Sequence, residues 1–193
     1  MIRRHLIQMP RDACPADIHV KREINRSEIS SVHEIELRGA TYVMKLVSAI
    51  DLNRLRCESN AYQNFYSHGV CQRGFVPFFY GCIDRIDPSA LNPPLEHFLN
   101  DKYQPRARIL EYLPNAERLN CVNYSDALFR GAVDGIKAIH NAFVRHGDIY
   151  PKNILITPDR AAWGLRWTAL VVDFGELLSE NQRRGEAPNS KFY

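Results

Sequence analysis

Residues Val144–Ile156, VRHGDIYPKNILI, restrict what this chain can fold into more than any other stretch. They set a carboxylate, Asp148, and a carboxamide, Asn153, five positions apart on a turn that Pro151 stiffens. A helical stretch precedes that turn and an apolar strand-like run follows it, so the two polar side chains sit on a rigid mount. A second apolar run, VVDFGE at Val171–Glu176, ends in Asp173-Phe174-Gly175, where a carboxylate leaves a strand and the glycine permits a sharp turn. Two carboxylates and an amide placed this way suit a hard divalent cation and a phosphate-bearing ligand.

The rest of the chain must hold that mount. With 193 residues, 45% apolar and 24% charged, it suits one domain or two small lobes of ordinary globular composition. The net charge of +3 is small and its basic residues are scattered, which gives no electrostatic case for nucleic acid or a membrane surface. No apolar run approaches the ~18 to 20 residues of a spanning helix. MIRRHLIQMPRDACP also lacks the apolar core of a signal peptide, so an intracellular location, cytoplasmic or nuclear, is expected. Five cysteines without a CxxC pair read as reduced thiols.

Period-two patterning predicts strands over Asp17–Ile24, Ser31–Arg38 and Ala40–Ser48, with Arg38-Gly39 as a turn. In the third strand Val43, Lys45 and Val47 share one face and Met44 and Leu46 the other. A lysine among apolar neighbours faces either solvent at a sheet edge or a buried partner. Leu52–His68 reads as a helix closed by Gly69, with Glu58 projecting from its middle. Phe75–Cys82 is expected as an irregular strand, Ile83–Pro105 as a loop without strong structure, and Arg106–Leu113 as a strand. Asn123–Arg145 carries the stripe of an amphipathic helix, with Ser125 as its cap. Asn153–Ile156 and Ala169–Val172 are short strands, the intervening Thr157–Trp167 an inserted surface turn, and 179–193 a tail.

The order is three strands with a lysine on the third, a helix with a glutamate, two strands, a long helix, a polar loop and a strand ending in DFG. On TYVMK, CESNAY, HGDIYPKN and DFG the chain resembles the protein kinase-like superfamily over about residues 17–178. The resemblance implies an α+β, two-lobed fold: a sheet with one helix over about 17–113, and a truncated, mainly helical lobe over 114–178. It also implies ATP and Mg2+ as cofactors, with Lys45 at the phosphates, Glu58 paired to it, and Asn153 and Asp173 on the metal. Asp148 would take or orient the proton of an attacking hydroxyl. Val43 and Leu155 would cover the adenine from either side, Leu110 would be the gatekeeper, and Glu111–Leu113 the hinge. Lys152, next to Asn153, is either a further phosphate contact or a solvated side chain.

The chain also departs from the family. Asn25–Ser31, NRSEISS, has no glycine where a phosphate-covering loop is expected, which leaves Ser27, Ser30 and Ser31 as substitutes. Gly147 stands where regulated kinases have arginine, and only 18 residues follow Gly175, with no APE motif. A protein partner or a second copy covering the short second lobe is therefore an expectation. The leading function is transfer of the γ-phosphate to a hydroxyl, with protein Ser/Thr favoured by the resemblance and a small alcohol, as in aminoglycoside and choline phosphotransferases, as the alternative acceptor. A pseudokinase-like binding module is the alternative from a different class.

Overall fold

In the computed structural model, residues 15–48, 52–158, 160–164 and 170–171 are described. Strands β1 (Ile18–Arg26), β2 (Ser30–Leu37) and β3 (Ala40–Val47) run antiparallel in sequence. Helix α1 (Leu52–Ser67) follows, then β4 (Phe79–Ile83) and β5 (Arg106–Glu111), which complete a five-stranded sheet in the order β1-β2-β3-β5-β4. The β2–β3 connection is a two-residue hairpin whose residues Arg38 and Gly39 have φ of 53° and 78°. Positive φ at both positions is the turn that matches strand twist, and it fixes the Leu37↔Ala40 register from which Lys45 pairs with Val32.

The two sides of the sheet differ in burial, and its period-two alternation decides what each side does. On one side Ile18, Ile35, Met44, Leu46 and Ile109 are essentially inaccessible, packed against Ile86, Leu91 and Phe98. Those last three come from the segment expected to be a loop without strong structure. It is instead a strap across the sheet, with short 3-10 turns at Pro88–Ala90 and Glu96–Phe98 and a backbone bond from Val20 N–H to the Asn92 carbonyl. Its apolar residues are spaced irregularly among Pro, Asn and Asp, so no periodicity marks them.

Beyond β5 come β6 (Glu117–Arg118), helix α2 (Asp126–Asn141), β7 (Val144–Arg145), β8 (Ile154–Thr157), β9 (Arg160–Trp163) and β10 (Leu170–Val171). Helix α2 is shorter than its apolar stripe implied. Ser125 caps it by accepting a hydrogen bond from Leu128 N–H, and Val144–Arg145 leaves the helix to pair with Leu170–Val171. The Phe75–Cys82 strand is also shorter at its start, since ladder pairing begins only after Pro77, at Phe79.

A second core joins α1, α2 and the β8–β9 hairpin through Ala61, Phe65, Ala132, Ile139, Ile154 and Trp163. Trp163 corrects the reading of 157–167 as a surface turn. β9 pairs with β8, its Ala162 and Trp163 are buried, and the indole N–H donates to the Ala132 carbonyl at 2.7 Å. The described residues thus form an α+β fold with an antiparallel sheet and two α-helices. Among them no helix is long and apolar enough to cross a membrane.

Candidate functional site

The sheet's second face carries the chemistry. β3 is an interior strand, so Lys45 is not on an edge, and its side chain is only 12% exposed. Its ammonium donates to both oxygens of Glu58, at 3.0 and 2.9 Å. Glu58 reaches the strand because α1 lies over this face with Ala61, Tyr62 and Phe65 buried beneath it, Tyr62 stacking on Phe79 at 4.9 Å between centroids. A lysine and a glutamate thirteen positions apart therefore meet in a largely dry setting.

A third residue joins them, one absent from the sequence-based site. Arg108, fully buried, donates through Nη1 to Glu58 Oε2 at 2.5 Å. In the ladder its Cα stands opposite Lys45. Removing one partner of a buried ion pair costs on the order of 3–5 kcal/mol, so these three charges are mutually obligatory. A signal for Arg108 did exist: it lies two before Leu110 in a period-two strand and so shares Leu110's face.

Lys45 and Glu58 line a cleft of about 370 Å³ whose walls include Val32 and Val43 from the sheet, Leu110–Leu113 at and just beyond the end of β5, and Leu155 from β8. Every residue assigned by resemblance to the nucleotide base, namely Val43, Leu110, Glu111, Leu113 and Leu155, borders this one cleft. Apolar walls with a few convergent polar groups are what a flat heteroaromatic ligand requires. Glu111 also ties the end of β5 to the segment before β4, exchanging bonds with Phe78: its N–H donates to the Phe78 carbonyl and its carboxylate accepts from Phe78 N–H. The glycine-free β1–β2 turn borders the cleft through Asn25, Ser27 and Ser30. There the Ser27 and Ser30 hydroxyls meet at 2.8 Å, while Ser31 is buried on the opposite face beside His33.

The polar loop keeps its two predicted residues together. Asn153 is buried at the end of the 3-10 turn Pro151–Asn153, and its amide donates to the Asp148 carbonyl at 2.7 Å and to Asp148 Oδ2 at 2.8 Å. With its N–H groups spent on Asp148, Asn153 has Oδ1 to offer a cation. Gly147 has φ of 38°, a conformation that a β-carbon opposes, which gives a backbone reason for glycine at this position. His146 is buried behind it, with its Nε2 at 3.2 Å from the Gly164 carbonyl and its ring 5.0 Å from that of Trp163. Burial lowers the His146 pKa below the ordinary imidazole value, against the Gly164 carbonyl, which raises it. Lys152 is exposed and lies over the Tyr150 ring at 4.8 Å, so it takes the solvated reading.

Asp173 lies outside the described residues. Among those described, no group of three His, Cys, Asp or Glu side chains is placed to hold a metal.

No family model matches the chain. It is similar to the serine/threonine-protein kinase CAK1 of Saccharomyces cerevisiae, with 24% identity over 137 residues. The likeness is to a protein kinase. It covers 69% of this chain but 32% of that protein, so the chain spans about a third of its relative's length. At this identity the relationship is distant and kinase-like, and it hints at phosphotransferase chemistry.

Proposed function

We propose that this protein is an ATP- and magnesium-dependent phosphotransferase that moves the γ-phosphate to a hydroxyl acceptor, with a protein Ser/Thr favoured over a small alcohol. The observation that carries the proposal is the Lys45–Glu58 ion pair at the wall of a cleft with apolar sides. A buried ammonium fixed by a carboxylate is a ready-made counter-charge for the α- and β-phosphates, while Val43 and Leu155 cover the base and the backbone of Glu111–Leu113 meets its edge. Asn153 through Oδ1, together with Asp173, would hold magnesium, hard oxygen donors suiting a hard cation. When bound, the metal supplies charge neutralisation on the phosphate oxygens.

Asp148 accepts or orients the proton of the incoming hydroxyl. The bond from Asn153 to its Oδ2 holds the carboxylate in one direction, and a fixed base loses less entropy in the transition state than a freely rotating one. The protein-acceptor preference draws on the relative, which is named as a serine/threonine-protein kinase.

The test is ATP turnover with magnesium, using protein and small-alcohol pools as acceptors. Asp148→Asn should lower turnover by about 100-fold or more, while Mg-ATP still binds. The binding-module reading takes its support from the Ser27–Ser30 hydroxyl pair, which occupies groups that a phosphate would need. It wins if Mg-ATP binds and no acceptor is phosphorylated by the unaltered protein.

A further inference from the structure

Two features of Arg108 separate it from Lys45, although both hold the same carboxylate. Its side chain has no exposed surface, whereas that of Lys45 is 12% exposed. Lys45 borders the cleft and Arg108 is not among the residues that line it. The two stand opposite each other on neighbouring strands, so Glu58 receives one cation from the cleft side and one from the sheet interior.

We propose that Arg108 is a positioning residue that anchors Glu58, and with it α1, independently of the ligand. This rests on the phosphotransferase reading and deepens it. In a site with a single lysine–glutamate pair, one bond must both dock the helix and orient the ammonium. A ligand phosphate that draws the lysine then competes with helix docking. Here the bond from Arg108 Nη1 to Glu58 Oε2 stays in place when Lys45 turns toward an anion, because no ligand reaches Arg108. The guanidinium suits this task, since it stays charged and offers a fixed fork of donors. Tyr62, one turn after Glu58 and stacked on Phe79, holds the same helix face by packing. The glutamate is therefore already placed before nucleotide arrives, which lowers the ordering cost of binding.

The first test is unfolding by denaturant without nucleotide. Glu58→Gln should lower the folding equilibrium constant by more than about 100-fold, because it strands a buried guanidinium. Adding Arg108→Met to Glu58→Gln should recover about tenfold of that loss. Lys45→Met alone should cost less than Arg108→Met alone. A deeper loss in the Glu58→Gln, Arg108→Met double variant, or a larger loss for Lys45→Met than for Arg108→Met, overturns the anchor.

The second test is Mg-ATP calorimetry at a temperature where every variant is folded. Arg108→Met should weaken affinity about tenfold, and Arg108→Lys should return it to within about threefold of the unaltered protein. Unchanged affinity for folded Arg108→Met would mean packing alone and overturns the proposal. If the unaltered protein binds no Mg-ATP, the phosphotransferase reading falls and the unfolding cycle alone decides for or against the anchor.

Discussion

The two faces of the five-stranded sheet are built from the same strands and do different work. Toward the 83–105 strap, Ile35, Met44, Leu46 and Ile109 meet Ile86, Leu91 and Phe98 in an apolar seam. Toward α1, the residues between them in sequence, Val32, Val43, Lys45, Arg108 and Leu110, set three cleft-wall hydrophobes beside two cations. The alternation of a strand lets one residue step separate stability from chemistry. Face, more than position along the chain, decides what a substitution does.

That separation can be broken by experiment. The largest effect is expected on the strap face: Met44→Ala should destabilise by about 2–5 kcal/mol in denaturant unfolding and leave Mg-ATP affinity of the folded protein unchanged. A large affinity loss would mean that the faces are coupled. The next concerns α2, where a β-carbon on Gly135 would lie 2.9 Å from Trp163 Cδ1, whereas one on Gly131 would meet nothing within 4 Å. Gly135→Ala should therefore cost about 1–3 kcal/mol by pushing the indole off the helix. Gly131→Ala should stabilise by about 0.5–1 kcal/mol through helix propensity alone. Equal effects for the two would contradict the packing of the β8–β9 hairpin on α2.

The smallest effect is a pH dependence. Burial is the main cause holding His33, His140 and His146 below the ordinary imidazole value; for His146 the nearby Asp148 opposes this and His140 adds to it. The folded protein then binds fewer protons than the unfolded chain. This contribution is complete above the unfolded imidazole pKa and is lost as pH falls toward the folded values. The midpoint of thermal unfolding should drop between about pH 7.5 and about pH 5.5, and drop less in His146→Gln. An equal drop in both proteins would remove His146 from the account.

Much of the sheet was legible because it follows from period, whereas the Lys45–Glu58 pairing was legible only through the kinase-like resemblance: period alone leaves Lys45 free to face solvent at a sheet edge. Val43 and Leu155 then followed by period, each two residues from a polar site residue. Arg108 was not singled out although it shares Leu110's face, because strand period does not say which partner a charged side chain meets; the register opposite Lys45 and the bond to Glu58 do. The strap was missed because Ile86, Leu91 and Phe98 follow no period, and β9 because four residues between Pro158 and Gly164 look like a turn until Trp163 is seen against α2. The metal-binding role of Asp173 stays a sequence-based proposal, since that residue is outside the described part of the chain.

The measurement that bears most directly on the central claim is the unfolding free energy with and without Mg-ATP, for the unaltered protein and for Lys45→Met. Saturation at 100 times the dissociation constant should add about 2.7 kcal/mol to the unaltered protein. The gain should disappear in Lys45→Met and on chelation of magnesium. No stabilisation of the unaltered protein, or the same stabilisation in Lys45→Met, would contradict the assignment of this cleft to a nucleotide.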